Sequence, residues 1–404
     1  MILLIFSMVF ICISKAFVLN NEKNDTLDGR YGLNSDLKND SGKYFLWEIQ
    51  GSSSSYLFGT IHVPFNRIWD SIPDNMMQAF NNSQQIYLEL DMDEKTLSKL
   101  VRCEKLPDGL KVNEVLPKPL YLKWKAYLEY LHHKIASWIT PWQKSQGLTA
   151  DIIFSWLFEN WETRRPIWTL LKTQMVIKTY ITSIEYLTLD TYLAEIGRRF
   201  GKLVGGIEHV EETCAIFNDL NDSQVLFIMN KTMELDHELL TQITTNNLND
   251  LIDRYKRGIL SPAYFSNKFG FFPQIANSKN GTTRVSISIN NEEERQLAAD
   301  LTVYLRNHIL FKRNKVMADR IIKLIQNNPD TSFFFAFGVG HFIGQNSVVD
   351  IIRQRNISIE RVTPETSIKS TRSSDIRKNS YNCDCDNFES FSWIVCVIKC
   401  AFGF

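Results

Sequence analysis

Six short apolar runs, separated by glycine turns and helical stretches, predict an α/β (mixed α+β) fold. It has a central β-sheet with flanking helices, two strand–Gly-x-x-His units and a helical insertion. Three observations carry this. Strand-like and helix-like patterns alternate along the chain. Residues from about 97 to 200 switch to helical periodicity. Lastly, "SYLFGTIHVP" and "FFFAFGVGH" each drive an apolar run into Gly-x-x-His, at Gly59–His62 and Gly338–His341.

The elements follow in order. "MILLIFSMVFICIS", ending in the small-x-small Ser14-Lys15-Ala16, reads as a signal peptide over residues 1–16. Residues 17–42 are a polar linker, and 43–363 form the main domain. In it, "YFLWEIQ", "GSSSS" and "YLFGTIH" read as strand, loop, strand. Ser71-Ile-Pro73 reads as an N-cap with proline near the first turn of a helix through Phe80. "QIYLELD" is the next strand. Within 97–200, Leu120, Trp124, Tyr127, Leu128, Leu131 and Ile135 share one helical face, and Trp138, Trp142, Trp156, Trp161 and Trp168 follow. Such an aromatic stripe reads as core. "GKLVGGIEHVEET" is a short strand, a Gly-Gly turn and an acidic helix start. A long helix is expected from Glu293 to Gln326. "TSFFFAFGVGHFIGQNSVVDIIRQ" gives strand, glycine turn and helix, and "ISIERV" closes the sheet.

Residues 364–387 form a second polar linker before a hydrophobic tail at 388–404. Its apolar part, about 14 residues holding Lys399, is shorter than the roughly 20 that a spanning helix needs. With its polar spacer the tail resembles a glycolipid-anchor signal, so membrane attachment is expected.

Composition narrows the function classes. The 404 residues are 44% apolar and 12% aromatic, enough for a large core. Net charge is zero and no basic run could track phosphates, which disfavours a nucleic-acid partner. Export is supported by N-x-[ST] triplets, including Asn81, Asn221, Asn230, Asn280 and Asn356. Cys103 and Cys214 are the only cysteines in the body of the chain, and in an oxidising compartment they most simply form a disulfide. Cys383, Cys385, Cys396 and Cys400 cluster at the end without zinc-site spacing.

The chemistry centres on the two histidines. Ligands of open α/β sheets bind beyond the carboxyl ends of strands, where both Gly-x-x-His units fall. Glycine there permits a sharp turn at positive φ and close approach of a ligand. Two neutral imidazoles brought together could hold one cation. Alternation in "IYLELD" puts Tyr87, Glu89 and Asp91 on one face. A carboxylate in an apolar strand is costly to bury unless paired or metal-bound, so Glu89 is the candidate third ligand or water-activating base. A solvated edge strand is the other reading. Glu208, Glu211 and Glu212 fit a helix N-terminus. By spacing alone Arg313 and Asn314 are surface residues of a helix, and Asp190 is a helix N-cap.

Long blocks in this chain resemble the Tiki family of membrane-attached metalloproteases, within the wider TraB-like group. They include "FLWEI", "SYLFGTIHVPFNRIWDSIPDN", "IYLELD", "ASWITPWQ", "RRPIW", "LDTYLAEIGRR", "GIEHVEETC", "FKRNKVMADRI" and "FFFAFGVGHFIGQNSVVDIIR", and span roughly residues 44–363. The resemblance implies an extracellular metal-dependent protease, supported by Mn2+ or Co2+, that trims the N-terminal region of secreted Wnt proteins and lowers their signalling. It carries the histidine motifs onto His62 and His341 and the acidic strand motif onto Glu89. It also raises Glu208, Arg313 and Asn314 to site residues, the latter two expected to steady an oxyanion or the peptide backbone. Two alternatives stand beside it: a TraB-like protein that sequesters peptides without cleaving them, and a metal-independent ester hydrolase.

Overall fold

The structure, a computed structural model, describes residues 45–368 except 265–290 and positions 52, 108, 177, 185, 235, 236 and 263. The signal segment, the first linker, most of the second linker, the apolar tail and Asn280 lie outside the described residues. Of the other sequons, Asn221 and Asn356 are exposed, and Asn81 and Asn230 are half-buried.

One mixed sheet organises the fold. Strands β1 (Leu46–Ile49), β2 (Ser55–Thr60), β3 (Gln85–Leu88), β4 (Leu203–Gly206), β5 (Phe333–Gly338) and β6 (Ile359–Arg361) lie in the order β4-β3-β5-β2-β1-β6. The hairpin β1–β2 is antiparallel, while β2, β5, β3 and β4 run parallel. Every residue of β2 and β5 is buried. A central parallel strand is covered on both faces, and "FFFAFG" is therefore continuously apolar rather than alternating.

Two apolar cores result. The first wraps the sheet and includes Phe58, Ile86, Phe333, Phe335, Met317 and Ile321. The second is helical and includes Trp124, Leu128, Leu131, Ile135 and Trp168 on the stripe expected to be core. Trp142 departs from that expectation, being 47% exposed. Between β3 and β4 the chain is helical, from the helix Glu94–Glu104 to the helix Leu189–Arg199. Among the described residues, no helix is long and apolar enough to cross a membrane.

Several local expectations shift. The helix after Pro73 spans Asp74–Asn82 with Pro73 itself as the N-cap; Ser71 instead turns its hydroxyl onto the Ile68 carbonyl. The Gly205-Gly206 pair completes β4 instead of forming a turn. Strand β3 is interior, between β4 and β5, which removes the solvated-edge reading of Glu89. The long helix expected over 293–326 is divided: Glu292–Arg306, a π-helical segment at Asn307–Phe311, then Lys312–Asn327.

Cys103 and Cys214 form a disulfide, with Cα atoms 6.1 Å apart, joining the helices Glu94–Glu104 and Val210–Asn218. It closes a loop of 111 residues. On the chain-entropy account, Cys103→Ser is expected to cost about 4–5 kcal/mol of stability, read from denaturant unfolding without reductant.

Candidate metal centre

The parallel pairing of β2 with β5 sets Thr60 opposite Gly338. Hence His62, two residues past β2, and His341, three past β5, rise from the same end of the sheet. On the other side of β5, β3 pairs Leu88 with Ala336, and Glu89 emerges next. Its Oε1 accepts from the Gly338 N–H at 2.8 Å. The β3–β4 pairing continues beyond the strands: Ile207 N–H donates to the Leu88 carbonyl at 2.8 Å, and Glu208 N–H to the Glu89 carbonyl at 2.9 Å. The two acids are thereby set side by side, Glu208 lying ahead of the helix Val210–Asn218 and buried. Glu211 and Glu212 do sit in that helix's first turn and are exposed, paired with Lys99 and Arg320.

Gly338 is extended, at φ −52° and ψ 127°, and Gly59 is likewise absent from the positive-φ residues. Neither glycine is needed for a left-handed turn. What matters is the missing side chain. A Cβ on Gly338 would stand 3.0 Å from Glu89 Oε1, 3.4 Å from His62 Nε2 and 3.9 Å from His341 Cδ2. The space above Gly338 is thus ringed by one carboxylate and both imidazoles.

Each ring is held by its other nitrogen. His62 Nδ1 lies 2.5 Å from Asp190 Oδ2, and His341 Nδ1 lies 2.6 Å from Asn314 Oδ1. The Asn314 amide cannot be reversed, because its Nδ2 donates to the Asn346 carbonyl at 2.8 Å. His341 therefore donates from Nδ1, leaving Nε2 as the lone-pair nitrogen 3.7 Å from Glu89 Oε1. Complete burial, with help from the Arg313 charge, pulls His341 down to about 3 against the pull of Glu89, so this ring is neutral. Burial also disfavours charge on His62, but the Asp190 carboxylate outweighs it and the net direction is up.

Arg313 is buried, contrary to the spacing argument. Its Nε donates to Glu208 Oε1 at 2.8 Å, and its Nη2 to Glu208 Oε2 at 2.6 Å and Glu89 Oε2 at 2.7 Å. Burial alone would raise Glu89, yet the Arg313 charge, the histidines and the Gly338 N–H hold it at about 2. Burial and the neighbouring Glu89 charge push Glu208 up. Both Glu208 oxygens nonetheless accept N–H donors, which fits the carboxylate form. The burial was signalled locally: Met317, Ala318, Ile321 and Ile322 stand three, four, seven and eight residues after Asn314 and are all buried, which puts Asn314 on the apolar face of Lys312–Asn327, with Arg313 beside it. Arg313 and Asn314 spend these donors on site side chains and on the Ile309 and Asn346 carbonyls. In this arrangement they support Glu89, Glu208 and His341.

Asp190 is the residue the sequence reading misplaced. Thr188 is the N-cap, and Asp190 lies inside the helix Leu189–Arg199, buried. A signal was available. Leu193, Ala194 and Gly197 stand three, four and seven residues on and are all buried, which puts Asp190 on the apolar face.

The TraB/PrgY/gumN family profile matches residues 45–361. Metalloprotease TIKI2 of Xenopus tropicalis is 41% identical over 323 residues, covering 78% of this chain and 59% of the relative. The Metalloprotease TIKI homolog of Nematostella vectensis is 37% identical over 336 residues, covering 81% of this chain and 68% of the relative. The chain belongs to the TraB/PrgY/gumN family, in its Tiki group. Human Metalloprotease TIKI1 is 39% identical over 320 residues, 78% of this chain and 61% of the relative. The chain thus spans about three-fifths to two-thirds of the length of these Tiki relatives. No solved structure matches it.

The names of these Tiki relatives raise the question of whether the ring of donors fits a cation. Among the described residues, no three His, Cys, Asp or Glu side chains already converge as a complete ligand set. The donor chemistry nevertheless fits. His62 Nε2, Glu89 Oε1 and the His341 ring border the space over Gly338, and the 3.7 Å between His341 Nε2 and Glu89 Oε1 is close to the roughly 3.5 Å spanned by two donors on one tetrahedral ion. Charge fits as well. The carboxylates of Glu89, Glu208 and Asp190 outnumber the one guanidinium in this bonded set, and a divalent cation would offset the excess.

Two outcomes follow. Gly338→Ala is expected to fold but lose divalent-cation binding, measured by calorimetric Mn2+ titration, because the methyl occupies the donor space. Arg313→Ala leaves two buried carboxylates uncompensated and is expected to cost about 3–5 kcal/mol in thermal or denaturant unfolding.

Proposed function

We propose that this chain is a metal-dependent peptidase, acting outside the cell on the N-terminal region of secreted Wnt-type proteins and thereby restraining their signalling. One observation carries the reading: His62 Nε2, Glu89 Oε1 and the His341 ring surround Gly338 at the carboxyl end of the sheet. The metalloprotease names of the Tiki relatives support it. The apolar tail at 388–404 would hold the protein at the extracellular face of the membrane, and the sequons and the Cys103–Cys214 disulfide agree with a secretory route.

His62, His341 and Glu89 would hold the cation, Mn2+ or Co2+. Such an ion supplies Lewis-acid polarisation of a carbonyl and lowers the pKa of water. The chain's own groups do the rest. Asp190 and Asn314 fix the ring orientations. Arg313 holds Glu89 ionised through Oε2, while Oε1, which accepts the Gly338 N–H, faces the space over Gly338. Glu89 is 11% exposed at its side chain against 2% for Glu208, whose oxygens are both occupied by Arg313. Glu89 is accordingly the carboxylate placed to meet the cation, and Glu208 anchors Arg313.

The test is incubation of the purified protein with Wnt-type N-terminal peptides, with chelator and with added Mn2+, followed by mass spectrometry. Fragments that vanish with chelator and return with Mn2+ are expected. Intact but retained peptide would indicate a sequestering protein, and chelator-resistant ester cleavage an esterase. His62→Ala and His341→Ala are each expected to remove turnover by at least 100-fold while leaving secretion intact; loss of secretion in both would make the histidines structural.

A further inference from the structure

The two rings are held by unlike partners, and that difference has a consequence for the site. Asn314 is neutral, and its amide is shared between His341 and the Asn346 carbonyl. Asp190 brings a carboxylate. Its Oδ2 meets His62 Nδ1, while among the described residues its buried Oδ1 has no hydrogen-bond partner.

The pairing of Asp190 with His62 is also fixed by backbone on both sides. Phe65 N–H donates to the Leu187 carbonyl at 2.9 Å, Leu189 N–H to the Val63 carbonyl at 3.3 Å, and Pro64 bridges Thr188. The loop carrying His62 and the start of the helix carrying Asp190 are thus joined as a short two-stranded strap. A hydrogen bond to an anionic acceptor is roughly twice as strong as one to a neutral acceptor, and a carboxylate behind an imidazole raises the basicity of its far nitrogen.

We propose that Asp190 is a positioning residue that makes His62 the stronger of two unequal imidazole donors, with Asn314 giving His341 its orientation but no added donor strength. This rests on the reading of the site as a cation centre. His62 would then set how tightly a cation is retained, with His341 contributing less.

The experiment uses the full chain and Mn2+, with the free ion counted by electron paramagnetic resonance. Asp190→Asn keeps the shape and an acceptor oxygen and removes only the charge. It is expected to fold with unchanged melting temperature and to bind Mn2+ 10- to 100-fold more weakly. Binding within twofold of the unmodified chain would overturn the proposal.

Histidine-ring 15N spectra of the metal-free protein at alkaline pH give a second reading. Both Nε2 atoms are expected to be unprotonated, with the Nδ1 proton of His62 further downfield than that of His341. Asp190→Asn should move the former and leave the latter. A proton on His62 Nε2, or equal Nδ1 shifts, would overturn the assignment even if Asp190→Asn does not fold. Failure of the unmodified chain to bind Mn2+ would instead remove the cation centre, with the ring spectra still deciding the role of Asp190.

Discussion

Thr60 stands opposite Gly338 in the parallel pairing of β2 with β5, and the position of every site residue depends on that register. The side-chain period of a strand is two, so a slip of one residue would turn the buried phenylalanines of β5 to the opposite face. Close packing at Gly59 prevents it, since a Cβ there would stand 2.8 Å from Val339 Cγ2 and 2.9 Å from Phe45 Cβ. Every residue of both strands is buried, and Phe58 packs against Phe334 with ring centroids 5.8 Å apart. The register that satisfies the core also brings together two Gly-x-x-His turns about 280 residues apart.

Around that pairing the fold concentrates charge where water is scarce. Burying three carboxylates among apolar strand ends is expensive unless each is paired. Arg313 offsets two of them, His62 the third, and the β3–β4 pairing fixes the spacing between Glu89 and Glu208. The helix that brings Arg313 is tied down again about two turns further along. Arg320 donates to the Ile207 carbonyl and to both Glu212 oxygens. A site built on strand ends and a clamped helix is held more rigidly than one built on loops.

The helical insertion contributes to the same centre from a distance. Its first helix follows Glu89 and its last carries Asp190, while the Cys103–Cys214 disulfide ties the first of these to the helix that follows Glu208. Glu104, fully buried, meets Lys172 at 2.8 Å and Arg164, which anchors the first helix within the insertion. The insertion thus orients the site as well as forming a second core.

From the sequence alone the strands, the helical period of the insertion and the pairing of Cys103 with Cys214 were legible, since apolar periodicity and compartment chemistry are local properties. The two Gly-x-x-His runs were legible as a repeated pattern, and Glu89 as a costly acid in an apolar strand. What lay beyond local pattern was decided by tertiary structure. Asp190 passes for a cap until the helix is seen to pack that face over His62. Arg313 and Asn314 pass for surface residues until that face of their helix is seen to meet Glu208 and His341. Gly338 passes for a turn residue, although its extended backbone shows that its role is to leave room for the side chains around it. Local spacing can put such a residue on a buried face, but the partner it meets there comes from a segment far away in the chain.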